Sequence, residues 1–186
     1  MGFPKPLLPW FGTTLIAYQV EQLMSAGLDS VIVVLGHESE RVAAALDGYP
    51  RVMIRVNPAY QQGKSTSIRV GVESVPEGTE AILLIAVDQP RRAETLRTLI
   101  SGHFSEHRPV TVPVFQGRRG HPLIVSSSLL PELLCLSEET RGLRQIVSSH
   151  HSEIAEVPCE DPEVILNLNT PEEYRQAQAY FAARGT

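Results

Sequence analysis

Seven apolar residues in a row, Ala81-Ile82-Leu83-Leu84-Ile85-Ala86-Val87, stop abruptly at Asp88-Gln89-Pro90. An uninterrupted run of that length, closed by a turn signal, suits a strand covered on both faces. A second run, Val31-Ile32-Val33-Val34-Leu35, has the same character and stops at Gly36-His37. Such strands need helices on either side, and the intervening sequence has helical spacing. Ile16, Val20, Leu23 and Met24 share one helical face after a capping hydroxyl at Thr13 or Thr14, and Gly27 is a stop signal. Further helices are expected at 38–46, 65–74, 93–104, 129–136 and 143–149. Further strands are expected at 52–56, 110–115, 122–125, 154–157 and 164–168. Thr170-Pro171-Glu172-Glu173 opens a last helix, with a capping box and proline at the first helical position. Strands alternating with helices predict an α/β protein with a mostly parallel sheet. No linker or repeat interrupts the pattern, so residues 1–186 read as one domain.

Composition narrows the function classes. The chain carries 16 Lys and Arg against 21 Asp and Glu, a formal charge of -5. Nucleic-acid binding asks for a basic surplus or stripe, and neither is present. The apolar runs fall well short of the ~20 residues that a membrane span needs. The N-terminal residues lack the apolar core of a signal peptide. A soluble, cytoplasmic protein is the expectation. The two cysteines, Cys135 and Cys159, form no CxxC motif and no disulfide framework. Cys135 lies in a leucine-rich helical segment and reads as core.

In open α/β sheets, ligands bind beyond the carboxyl ends of the strands. Asp88 follows the strongest strand and is stiffened by Pro90. Its carboxylate suits Mg2+, which takes one or two carboxylates with phosphates and water. It also suits a plain Asx turn at a strand end. Gln61-Gln62-Gly63-Lys64-Ser65-Thr66-Ser67 is a Gly-Ser-rich loop entering a helix. Either its free N–H groups meet an anion or a base edge, or Ser65 or Thr66 caps the helix. It lacks the earlier glycine of a Walker motif. Gly117-Arg118-Arg119-Gly120-His121 offers two guanidinium forks for an anionic substrate, or is a basic hairpin tip. His150-His151 reads as solvated.

In order along the chain, these stations resemble the MobA/MocA-like nucleotidyltransferases. Met1-Gly2-Phe3-Pro4-Lys5-Pro6-Leu7-Leu8-Pro9 is similar to the end of that family's glycine-rich signature. Val33-Val34-Leu35-Gly36-His37, Asn57-Pro58 with Gly63 and Ser65 to Ser67, and Val87-Asp88-Gln89-Pro90 resemble its later stations. Gly117 to Pro122 and Leu168 to Glu173 complete the series. The resemblance implies a three-layer Rossmann-like α/β fold of the nucleotide-diphospho-sugar transferase type. It implies transfer of a nucleoside monophosphate from a triphosphate to the phosphate of molybdopterin, with loss of pyrophosphate. Lys5 would neutralise the triphosphate, and Asp88 with Asn169 would hold Mg2+. Gly2, Gly36, Asn57, Gly63, Ser65 and Ser67 would contact the nucleotide, and Arg118, Arg119 and His121 the acceptor. Pro4-Lys5 and the Gly-Arg-Arg-Gly-His-Pro run lean to CTP over GTP. A molybdoenzyme or its chaperone would be the downstream partner. The alternatives are another small-molecule or sugar-phosphate nucleotidyltransferase, and an inactive nucleotide-binding relative. The match opens in mid-signature, so the family's first central strand and glycine-rich loop would precede Met1, which then reads as an internal methionine. Val87 stands where the family often has glycine.

Overall fold

The structure is a computed structural model that describes residues 4–139 and 142–185. After a short 3-10 turn at Lys5–Leu7, β1 (Pro9–Trp10) and β2 (Thr13–Thr14) form a small antiparallel hairpin. Its two turn residues, Phe11 and Gly12, both have positive φ, as a tight hairpin requires. Thr14 then caps α1 (Leu15–Ser25) by accepting the Ala17 N–H, and Gly27 at φ +98 ends it. The apolar face of α1 covers β3 (Val31–Leu35). β3 is followed by α2 (Ser39–Ala44) and β4 (Val52–Val56), and β3 and β4 pair in parallel, Val31 opposite Val52.

The second half continues through α3 (Lys64–Val72), β5 (Ala81–Leu84), α4 (Ala93–Glu106), β6 (Val110–Phe115), β7 (Arg118–Arg119) and β8 (Leu123–Ser126). Then come α5 (Leu130–Leu134), α6 (Leu143–Ser149), β9 (Ile154–Pro158) and α7 (Pro171–Ala182). β5 pairs antiparallel with β8, and β8 with β6. β6 also pairs antiparallel with β7 and in parallel with β9. The α/β character is as read from the sequence, but the pairing is mixed rather than mostly parallel.

The strands form two main groups, β3–β4 and the five-stranded sheet that ends at β5. Among the described strands, β3 and β5 each have one hydrogen-bonded neighbour. Side chains bridge the interval instead. Leu83, Ile85 and Val87 pack against the cluster that contains Val31, Val33, Leu35 and Leu96. This split explains why the strongest apolar run of the chain is only half-buried in β5. Extended pairing stops at Leu84 rather than Val87.

Two other expectations change. Residues 164–168 are not a strand: Pro162–Ile165 is a 3-10 turn, started by Asp161, whose side chain accepts the Glu163 N–H. Pro162 lacks an N–H, which suits a helical first turn. Cys135 is exposed at the end of α5, while Leu133 and Leu136 enter the core. The helices read at 38–46 and 129–136 shorten to α2 and α5. The aromatic cluster of Trp10, Tyr18 and Phe181 fastens the first hairpin to α7. That places the N-terminal residues beside the segment that leads into α7.

Candidate active site

Three distant segments meet at one point. Lys5 Nζ donates to Asp88 Oδ2 at 2.8 Å and to Asn169 Oδ1 at 3.1 Å. Each is placed by its backbone. Lys5 begins the first 3-10 turn, and Asp88 lies in the turn after β5, closed by a Gln89 N–H to Ala86 carbonyl bond. Asn169 precedes the cap of α7 and donates its own N–H to Glu173. The Leu168 N–H donates to the Asp88 carbonyl at 2.8 Å, so the last two segments are joined directly.

Asp88 and Asn169 thus present oxygens that converge on a cation, here the Lys5 ammonium. Hard divalent ions use the same donors. Among the described residues no group of three His, Cys, Asp or Glu gathers. A divalent ion on Asp88 and Asn169 would complete its shell with water and phosphate oxygens, as Mg2+ does. The donor set fits such an ion.

His121 borders this point. The residue is exposed, yet its pKa is lowered, first by desolvation and then by the nearby Arg91 and Lys64 cations; Asp88 opposes them. The imidazole is therefore neutral at physiological pH. Arg118 and Arg119 are exposed on β7, and Arg119 Nε is tied to Glu156 Oε1 of β9 at 2.7 Å. Neither arginine has a contact with Lys5, Asp88 or Asn169.

The Gly-Ser loop runs alongside. Gly63, at φ +113, sits at the cap position of α3 without a side-chain cap. Ser65 does not cap the helix, and Thr66 donates back to the Gly63 and Ala59 carbonyls. The exposed N-terminus is met by a residue that sequence reasoning missed. Glu138 Oε1 accepts the Ser65 N–H at 2.7 Å. That bond, helped by the neighbouring Ser65 side chain and Lys64, holds the carboxylate below its usual range. The buried Ser65 hydroxyl makes no well-formed hydrogen bond. The Gly63 φ of +113 is strained for any L side chain, and a Cβ there would displace the Glu138 side chain, so glycine suits this position. Gln62, Ser65, Thr66, Arg69 and Glu138 line a cavity of about 260 Å3 beside it.

Asn57 is almost fully buried, and its amide is spent on the loop. Its Nδ2 donates to Thr66 Oγ1 and Ser67 Oγ, and its Oδ1 accepts the Ala59 N–H. Gly36 lies against the Tyr60 ring, which a Cβ would strike. Gly2 lies outside the described residues. The structure thus brings Lys5, Asp88 and Asn169 into contact and places His121 within their field. Asn57, Ser65 and Ser67 gather around α3, and Arg118 and Arg119 stand apart.

The MobA-like NTP transferase domain family matches residues 1–154. Nicotine blue oxidoreductase of Paenarthrobacter nicotinovorans is 26% identical over 181 residues, covering 91% of this chain and 85% of the relative. Molybdenum cofactor cytidylyltransferase of Escherichia coli is 26% identical over 184 residues, covering 97% and 90%. The structure of Rv0371c from Mycobacterium tuberculosis in complex with manganese superposes with a TM-score of 0.78 at 28% identity, covering 96% and 93%. With most of its length matched by that family and its oxygen donors gathered at the strand ends, the chain belongs to the MobA-like NTP transferases and is a nucleotidyltransferase of that family.

Proposed function

We propose that the chain transfers CMP from CTP to the terminal phosphate of a molybdopterin-type acceptor and releases pyrophosphate. The observation that carries the reading is the meeting of Lys5, Asp88 and Asn169 from three segments far apart in sequence. An oxygen of the acceptor phosphate attacks the α-phosphorus as the bond to the β-phosphate oxygen breaks. Such chemistry depends on positioning and charge neutralisation rather than on a protein nucleophile. Lys5 leaves its carboxylate to meet triphosphate oxygens. Asp88 and Asn169 would hold Mg2+, which supplies charge neutralisation across the phosphates when bound. Gly36, Gly63, Ser65 and Ser67, with Gly2, would line the nucleotide, and Asn57 braces their loop. The neutral His121 faces the acceptor with Arg118 and Arg119. The E. coli cytidylyltransferase match supports both CTP and this acceptor class. A molybdoenzyme or its chaperone would then receive the product in the cytoplasm.

A relative of equal identity is named as an oxidoreductase, so the relatives' names differ in chemistry. A sugar phosphate is the second acceptor to test. Calorimetric titration of CTP, then GTP, with Mg2+ tests the core of the proposal. We expect magnesium-dependent CTP binding that Asp88→Ala abolishes. CTP binding that survives Asp88→Ala unchanged would remove Asp88 from the site. Binding of neither nucleotide would favour an inactive relative.

A further inference from the structure

We propose that Arg91 is the positioning residue of this site: its buried guanidinium fixes the Asp88 turn, the His121 segment and the approach to Asn169 relative to one another. The proposal rests on the reading of those three residues as the transfer site.

The guanidinium is fully buried and carries five N–H groups in a rigid fork. Each finds a backbone carbonyl. Nε donates to His121 O at 2.9 Å. Nη1 donates to Pro90 O at 2.7 Å and Leu166 O at 3.3 Å, and Nη2 to Val164 O at 3.0 Å and Leu166 O at 3.2 Å. Pro90 follows Asp88 by two residues, and Leu166 precedes Asn169 by three. One side chain therefore ties together the segments that carry Asp88, His121 and Asn169. Other bonds show how close these segments lie. The His121 N–H donates to the Val164 carbonyl at 2.8 Å, and Gln89 Nε2 to Asn167 Oδ1 at 2.8 Å. A Cβ on Gly120 would come within 2.2 Å of the Val164 oxygen, so that position accepts only glycine.

The neighbouring arginine sets the contrast. Arg92 pairs with the buried carboxylate of Glu163 and with Asp161, so its charge is compensated by direct contact. Arg91 bonds only neutral carbonyls, and burial lowers its pKa to about 10, with the Glu163 and Asp88 carboxylates opposing the shift without direct contact. It stays protonated at neutral pH despite the desolvation. An apolar side chain of similar volume would leave the His121, Pro90, Val164 and Leu166 carbonyls without these donors, and the segments would lose what joins them. A buried cation that joins three carbonyl-bearing segments suits a need for fixed relative position. Lysine cannot substitute, because its three donors radiate from one atom.

The test uses the full chain as wild type, Arg91→Lys and Arg91→Met, with Leu133→Ala as a control in the core cluster behind α5. Two readouts are independent of turnover: the affinity of Mn2+ alone by calorimetry, and the His121 imidazole titration by NMR. We expect Arg91→Lys to unfold cooperatively yet lose on the order of 10–100-fold in Mn2+ affinity, the range for residues that orient metal ligands. In Arg91→Met, loss of the cation should also raise the His121 pKa. Leu133→Ala should lose stability and keep both readouts. Wild-type Mn2+ affinity and an unmoved His121 in the Arg91 variants would overturn the proposal, as would an equal affinity loss in Leu133→Ala. If both Arg91 variants fail to fold while the control folds, Arg91 is a stability residue and the proposal falls. A wild-type chain that binds no Mn2+ defeats the metal reading; Arg91 then stands or falls on the His121 titration.

Discussion

Lys5 lies between Asp88 and Asn169, the oxygens proposed to hold a divalent ion. Its ammonium is partly exposed and makes two charge-assisted contacts there. Under the proposed function, lysine and metal would compete for the same oxygens without nucleotide, and triphosphate would give the lysine phosphate oxygens to move to. Lys5→Gln should therefore raise the Mg2+ affinity of the nucleotide-free chain severalfold while weakening CTP. Paired calorimetric titrations check this, and an unchanged or weaker metal affinity would show that the lysine does not compete. At this scale the sequence was informative where a residue's chemistry is unusual for its place. A carboxylate at the end of seven apolar residues stands out, and so does a lysine between prolines. It was silent about Arg91 and Arg92, two identical letters in a row. One is fully buried on carbonyls and the other is ion-paired, and only the fold separates them. Asn57 was legible as a loop residue, but not that its whole amide is used within the loop.

At the scale of elements, helix ends were the most readable features. Thr14 and Thr170 cap as expected, Glu173 completes the box, and Gly27 takes positive φ. These signals are local, so they survive in the sequence. The 3-10 turn at Pro162–Ile165 was not readable, because Val164, Ile165 and Leu166 run together like a short strand while Asp161 and Pro162 decide otherwise. Glu138 reaches the start of α3 from 73 residues away, and no local pattern announces it. One element carries a pH dependence. His103 of α4 is buried against β6, with Nδ1 at 2.8 Å from Thr111 Oγ1, and burial lowers its pKa below the ordinary 6.5. Its contribution to stability is complete above about 6.5. It is lost as pH falls through that value towards the lowered one. His150 runs the other way: contacts with Glu132 and Glu153 raise its pKa, so its contribution is present below 6.5 and fades above the raised value. Denaturant unfolding at pH 7.5 and pH 5 should show His103→Gln less acid-sensitive than wild type. Equal acid sensitivity would exclude His103 as the cause.

For the whole molecule, the division of the strands is the dominant fact. β6 has neighbours on both edges, whereas β3 and β5 each have one among the described strands. Protection against amide exchange should follow pairing rather than hydrophobicity. By hydrogen-exchange NMR, the slowest amides should lie in β6 and β8, with β5 faster despite its apolar sequence. Protection in β5 equal to that in β6 would mean that its open edge is covered in solution. The sequence revealed the α/β class through alternation, but periodicity cannot encode which strands are neighbours, so the antiparallel pairings of β5, β6 and β8 were invisible. An apolar strand with a bare row of N–H and C=O groups is a template for other chains. The β5 segment has no charge or proline within it to discourage such addition. If hydrogen exchange finds that edge open, the same residues that carry Asp88 to the site offer a pairing edge to a second chain, and self-association then rises with concentration and draws on the folded state itself.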